Sequence, residues 1–290
     1  MNVMIISKGS FISRSLAEAL WSVEGLNVTV VAASLTTREN LRLPNAAFAD
    51  QFIEKFKPDI LINCMGGLDP RSNPTMLDKF IERYLIDYLG VVEAGFKRDL
   101  KLVIDFSSAN EITSNSALTP VELNDTNIYR SLKISIEQFV SSLAILHKKK
   151  YAILRCGNII GVGYSRNGFG VVEVFARKIL EGEEPVFFSD SIKRKDYVSI
   201  SDLVRGVKEI VLCRYNISKF VEIFEVKSGY LASAREIYSY LLSYFSQGEG
   251  SPLFDGLINS GSFFKRLGIT PVNPEGDIKR IFDALRDSKK

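Results

Sequence analysis

The sequence predicts an α/β fold, a doubly wound parallel sheet with a small C-terminal lobe. Three observations predict it. Short apolar runs alternate with longer stretches of helical apolar spacing from the first residue onward, the pattern of strands buried on both faces and joined by crossover helices. The alternation becomes less regular after Gly163, where the lobe is read. No internal repeat or low-complexity linker divides the chain, and 290 residues suit one large domain with an appendage.

Met1–Ile6 reads as a buried strand, and Phe11–Trp21, with Phe11, Ile12, Leu16, Ala19 and Leu20 on one face, as the helix after it. Asn27–Ala33 is a second strand. A helix around Asp50–Lys57 leads through Pro58 and Asp59 to the strand Ile60–Cys64, and a long helix over about Thr75–Lys97 precedes the strand Leu102–Phe106. From Ile128 to about His147, Ile134, Ile136, Phe139, Val140, Leu143, Ile145 and Leu146 recur at helical spacing. The strand Tyr151–Arg155 follows. Later come a Gly-rich turn at Gly168 and Gly170, a helix near Val171–Leu180, a strand Tyr197–Ile200 and a helix from Asp202. A strand Phe220–Val226 and helices near 233–245 and 275–286 complete the chain. The predicted division is 1–163, rejoined by 197–229, against an interleaved lobe over 164–290. Ligands in such a sheet sit outside the carboxyl ends of the strands.

Composition excludes several classes of function. A net charge of +3, with no basic stripe interleaved with aromatics, argues against nucleic acid. Lys148-Lys149-Lys150 is a short cationic run at a helix end, where the macrodipole favours it. Three widely spaced cysteines, Cys64, Cys156 and Cys213, read as buried thiols of a reducing compartment. A single histidine, His147, leaves no His-rich metal site and removes Ser-His-Asp chemistry unless it serves itself. No leader or membrane-length apolar run is read, so a cytoplasmic protein without membrane or nucleic-acid partners is expected.

The chemistry centres on Tyr129 and Lys133, i and i+4 neighbours on one helical face. A phenol has a pKa of about 10, and an ammonium one turn away favours the phenolate and moves it towards neutrality. By itself the pair is also what an amphipathic helix shows at its surface. The first strand–helix junction, Ser7-Lys8-Gly9-Ser10-Phe11-Ile12-Ser13, has serine at three positions where a dinucleotide-binding turn uses glycine. Its helix N-terminus still offers amide groups to a phosphate. The serine hydroxyls suit either a phosphate or a backbone amide, and Ser10 suits an N-cap. The second strand ends Ala32-Ala33-Ser34 with no carboxylate for a ribose hydroxyl, and Arg38 follows. That favours NADP over NAD, Arg38 being otherwise a loop residue.

The ordered set Ser107-Ser108-Ala109-Asn110-Glu111, Tyr129-x-x-x-Lys133, Leu154-Arg155-Cys156-Gly157-Asn158, and Arg194-Lys195-Asp196-Tyr197-Val198 resembles the extended short-chain dehydrogenase/reductase family of nucleotide-sugar epimerases, dehydratases and 4-ketoreductases. Phe11-Ile12, Lys57-Pro58-Asp59-Ile60-Leu61-Ile62-Asn63 and Phe264-Lys265-Arg266-Leu267-Gly268-Ile269-Thr270-Pro271 extend the resemblance over nearly the whole chain.

The resemblance implies a Rossmann-type domain in which Tyr129 is the acid/base, Lys133 holds the nicotinamide ribose and lowers the tyrosine pKa, and a hydroxyl steadies the sugar. The cofactor set is Ser7, Gly9, Ser10, Phe11, Ile12, Ser34, Arg38, Cys64, Met65, Gly66 and Lys133. Asn158, Arg194 and Lys195 fall at substrate positions, Lys195 replacing an arginine. Ala109 occupies the expected hydroxyl position, so Ser108 is assigned that role, although regular alternation would turn it to the opposite face. The function expected is NADP-dependent 4-ketoreduction of a nucleotide-linked sugar, in a homodimer. The alternatives are an epimerase with tightly bound NAD(P) and a weakened family member serving as a binding subunit. A dehydratase fits less well, since Asn110-Glu111 offers one carboxylate where those enzymes carry an acidic pair.

Overall fold

The computed structural model of the protein describes residues 1–7, 9–33, 42–65, 78, 81–109, 128–163, 170–212, 216–248, 251–256 and 259–288. They divide into two compact units, Met1–Cys156 with Lys208–Phe224, and Gly157–Val207 with Glu225–Lys290. The strands are β1 (Asn2–Ser7), β2 (Asn27–Ala32), β3 (Ile60–Cys64), β4 (Leu102–Ser108), β5 (Lys150–Cys156), β6 (Asn158–Ile160), β7 (Lys195–Ser199), β8 (Val221–Val226) and β9 (Leu231–Ala232).

The first unit is built on a six-stranded sheet in the order β2-β1-β3-β4-β5-β8. The β1–β2, β1–β3, β3–β4 and β4–β5 pairs are all parallel, with Val3 opposite both Val28 and Ile60, and Val103 opposite Tyr151. Every residue of β3 is buried, which is why its sequence is apolar without alternation, Asn63 excepted. The edge strand β2 leaves Asn27 and Val30 exposed. On one face Met4, Ile6, Leu61, Val103, Tyr151 and Ile153 pack with Tyr88, Val91 and Phe96 of the helix Tyr88–Phe96 and with Ile136, Val140 and Ala144 of the helix Ile128–His147. The strand order reverses between β1 and β3. In an open α/β sheet this is where the crevice for a ligand opens, beyond the carboxyl ends of the strands.

The long helix expected over Thr75–Lys97 has a different interior. Glu82–Asp87 is π-helical and runs into the α-helix Tyr88–Phe96. Two side chains of that stretch reach the segment before the helix Ala49–Phe56. Arg83 pairs with Asp87 at 2.8 Å and donates to the Pro44 carbonyl at 3.4 Å, while Asp87 accepts from the Ala46 amide at 3.0 Å.

The second unit carries the sheet β6-β7-β9, with β6–β7 parallel and β7–β9 antiparallel. Ile160 and Tyr197 pack there with Phe175, Ile237, Leu241 and Phe282 from the helices Val171–Glu181, Ala234–Gln247 and Glu275–Asp287. The expected strand Tyr197–Ile200 is shifted to Lys195–Ser199, and the helix begins at Ile200. The sequence reading missed β6, β9 and the helix Ser262–Leu267, all of six residues or fewer and too short to show a period. Among the described residues no helix is long and apolar enough to cross a membrane.

Candidate active site at the carboxyl ends of the strands

β1 ends at Ser7, and the helix Phe11–Trp21 starts four residues later. Gly9 supplies the positive φ, +77°, that the turn between them requires. The three serines form a closed network. Ser7 Oγ accepts from the Gly9 amide at 2.9 Å and from the Ser10 amide at 3.2 Å, and donates to Ser13 Oγ. Ser13 Oγ donates to the Ser10 carbonyl at 2.7 Å, and Ser10 Oγ caps the helix by accepting from the Ser13 amide at 3.2 Å. Of the two options open to the serine hydroxyls in the sequence, the structure uses backbone amides. The turn keeps its shape with hydroxyl oxygens where glycines would leave space. Phe11 and Ile12 take the first two positions of the helix, the end at which a helix presents N–H groups and positive dipole to an anion.

The helix Ile128–His147 places Tyr129 and Lys133 one turn apart; the Tyr129 side chain lies outside the described residues. Lys133 is buried. Its Nζ donates to the Phe106 carbonyl at 2.7 Å and to the Met65 carbonyl at 3.4 Å, tying the helix to the ends of β4 and β3. Met65 is in turn fixed through its amide, which donates to Asn63 Oδ1 at 2.9 Å. Burial pushes the Lys133 pKa down, and the charge of Asp105 opposes that shift most strongly.

Asp105, in the middle of β4, is the residue that sequence reasoning passed over. Its carboxylate is buried, accepts from the Tyr151 hydroxyl at 2.8 Å and from the Tyr88 hydroxyl, and is pushed up to about 6, because burial outweighs these hydrogen bonds and the Lys133 charge. Glu137, one turn after Lys133, is buried against Arg155 of β5 through contacts of 2.7 and 3.2 Å. Both were signalled by charge inside apolar runs. Cys64 and Cys156 are free and buried, as expected of them. Burial raises both thiols, Cys156 to about 12, so neither is a thiolate at neutral pH.

Ser108 closes β4 half-buried, and the ladder continues past it, since the Ala109 amide donates to the Cys156 carbonyl at 2.9 Å. Alternation therefore holds through Ser108, and Ser107 is the residue on the Asp105 side. Ser107 Oγ is buried without a hydrogen-bond partner among the described residues.

Ser7, Gly9, Ser10, Phe11, Ile12, Cys64, Met65 and Lys133 thus collect at the ends of β1 and β3, where Ser7 and Cys64 are register partners, and of neighbouring β4. Ser34, Arg38 and Gly66 lie outside the described residues, as does Cys213. In the second unit Asn158 Nδ2 donates to the Asp196 carbonyl at 3.2 Å, and Lys195 is exposed. Arg194 is held within that unit by the Leu231 carbonyl at 3.0 Å and by the carboxylates of Asp255 and Glu236 at 3.0 and 3.4 Å. Among the described residues no three of His, Cys, Asp and Glu cluster so as to hold a metal ion. A dinucleotide fits the residues present, with helix-end amides for a pyrophosphate and a buried ammonium at the strand ends for a ribose.

The family model described as the NAD dependent epimerase/dehydratase family matches residues 8–217. The chain is 25% identical over 123 residues to a putative UDP-glucose 4-epimerase of Methanocaldococcus jannaschii, covering 41% of this chain and 40% of that protein. It is 24% identical over 159 residues to dTDP-L-rhamnose 4-epimerase of Burkholderia thailandensis, covering 54% and 42%. The chain therefore spans about two fifths of the length of these curated relatives. Among solved structures, UDP-glucose 4-epimerase of Thermotoga maritima with UDP-glucose superposes with a TM-score of 0.78 at 21% identity over 100% of both chains. The Thermus thermophilus UDP-glucose 4-epimerase complex with NAD does so at 0.70 and 19% over 99% of both. These likenesses establish the fold.

Proposed function

We propose that this chain, which belongs to the NAD dependent epimerase/dehydratase family, is an oxidoreductase of nucleotide-linked sugars that works with NAD and inverts the configuration at the sugar C4. The observation that carries the reading is Lys133, a buried ammonium anchored to the Phe106 carbonyl at 2.7 Å and one helical turn from Tyr129. A lysine is seldom buried without a task, because desolvating its charge costs several kcal/mol, roughly. The task proposed is to keep a positive charge where it makes Tyr129 competent to take and return the proton of the C4 hydroxyl. The dinucleotide, when bound, supplies the hydride acceptor and donor. Phe11 and Ile12 stand at the helix start where a pyrophosphate is received, Lys133 gives its ammonium to the ribose, and the hydroxyl for the sugar falls to Ser107, on the Asp105 side of β4, in place of Ser108, which alternation turns to the opposite face. The relatives whose names specify 4-epimerases, and the Thermus protein solved with NAD, support inversion at C4 and NAD.

A second reading, NADPH-dependent reduction of a 4-keto sugar, is favoured by the end of β2, where Ala32 and Ala33 offer no carboxylate to a ribose hydroxyl. One experiment separates the readings. The purified chain is given UDP-glucose and dTDP-linked sugars with NAD, and in parallel 4-keto nucleotide sugars with NADPH or NADH, and products are read by NMR. An epimer formed without net cofactor consumption supports inversion at C4. Stoichiometric NADPH oxidation supports the reductase. A chain that binds a dinucleotide and turns over neither substrate set serves as a binding subunit.

A further inference from the structure

We propose that Arg155 and Glu137 are positioning residues of this site: their two-point contact sets where the helix Ile128–His147 stands on the ends of β4 and β5, and so where Tyr129 and Lys133 act. The inference rests on the reading of Tyr129 and Lys133 as the acid/base and its lysine. Arg155 is the penultimate residue of β5. Its Nε donates to Glu137 Oε1 at 3.2 Å and its Nη2 to Glu137 Oε2 at 2.7 Å, and both residues are buried. Glu137 follows Lys133 by one helical turn, roughly 6 Å along the axis, and Lys133 is tied to the Phe106 carbonyl at 2.7 Å. On the sheet the two ties are equally close, since Phe106 stands opposite Leu154 in the β4–β5 ladder and Arg155 is the next residue. The helix is therefore fastened at two neighbouring points, one on each strand, in the half that carries Tyr129.

Stability is a poor reason for this pair. A buried arginine–carboxylate contact is often matched or bettered by apolar residues of similar volume, because both charges must leave water. What apolar residues cannot supply is direction. The contacts of Ile136, Val140 and Ala144 tolerate small slides and rotations, whereas a planar guanidinium on two carboxylate oxygens resists both. Proton transfer needs that precision, since displacing a reacting group by about 1 Å costs roughly 10²-fold in rate. The lever from Glu137 back to Tyr129 is about two turns of one helix.

The test separates position from stability in the full chain. Glu137→Leu with Arg155→Met replaces the contact by apolar side chains, and its urea midpoint is expected to stay close to that of the wild type. Its kcat for UDP-glucose with NAD is expected to fall about 10²-fold, while KM moves by less than about threefold. Arg155→Lys, which keeps the charge and gives up the fork, is expected to lose about tenfold in kcat. A double variant that regains kcat together with stability overturns the proposal. The second arm reads the helix itself. Amide hydrogen exchange over 129–137, compared at equal global stability, is expected to quicken about tenfold in the double variant, and unchanged exchange there overturns the proposal as well. If the double variant does not fold, Arg155→Lys carries both arms under the same criteria. A wild type that turns over neither UDP-glucose nor a 4-keto nucleotide sugar removes the functional reading, and the exchange arm then decides by itself whether the pair fixes the helix.

Discussion

At the scale of single residues, charge in the wrong solvent dominates. Asp105 sits where a strand would ordinarily carry a valine, and its carboxyl is pushed from 3.8 up to about 6 in the fold by burial. The folded chain therefore binds this proton more tightly than the unfolded chain does. The contribution of Asp105 to stability is full below pH 3.8 and is lost as the pH rises through about 6, a change on the order of 3 kcal/mol at 1.36 kcal/mol per pKa unit. Urea unfolding of the wild type and of Asp105→Asn across that window is expected to give a slope against pH in the wild type that the variant lacks. Tyr129 carries the second prediction at this scale. Tyr129→Phe keeps the ring and removes the exchangeable proton, so with an active substrate turnover falls by at least 10²-fold, roughly, with dinucleotide affinity nearly unchanged. Steady-state kinetics beside a binding titration checks both halves, and retained turnover would remove Tyr129 from the mechanism. Tyr129 and Lys133 were legible because the i, i+4 spacing is local. Asp105 was not, because its meaning depends on hydroxyls from Tyr88 and Tyr151, which sequence separates and the sheet brings together.

At the scale of elements, the helix Ile128–His147 shows how a site bends the ordinary rule of an amphipathic helix. Its buried seam is Lys133, Ile136, Glu137, Val140 and Ala144, whereas Phe139, Ile145 and Leu146, which recur at the same helical spacing, are exposed. Two charged residues occupy seam positions because the strands beneath offer each a partner, the Phe106 carbonyl for one and Arg155 for the other. Breaking the second contact is expected to be severe. Arg155→Met leaves Glu137 buried and unpaired at a cost of about 3–5 kcal/mol, and the double variant with Glu137→Leu recovers most of it. A double-mutant cycle in urea measures both. The serine turn makes a parallel case. Ser7→Ala removes the oxygen that accepts from the Gly9 and Ser10 amides and lowers stability by about 1–3 kcal/mol, read in the same assay.

For the whole molecule, the sheet order decides where chemistry can occur. Reversal between β1 and β3 gathers Ser7, Gly9, Met65 and Lys133 at one end of the sheet, and a ligand bound there stabilises the folded chain by mass action. NAD at a hundredfold excess over its dissociation constant is expected to add about 2.7 kcal/mol, seen as a rise in Tm, and NADP to add less at equal concentration; a larger shift with NADP would favour the reductase reading. The sequence by itself determined the parallel α/β plan of the first unit, its main strands and helices within a few residues, and the Tyr129–Lys133 pair, since these rest on short apolar runs and on spacings of three to four residues. The tertiary structure decided what the three serines do, that Lys133 and Glu137 are inside while Phe139 and Leu146 are outside, and that Asp105 lies beneath two tyrosine hydroxyls. Those outcomes depend on which neighbour a side chain meets across the sheet. A carboxylate in water and one beneath two tyrosines are the same letter in a sequence, and the dielectric and the hydrogen-bond donors that make them different exist once the strands have paired.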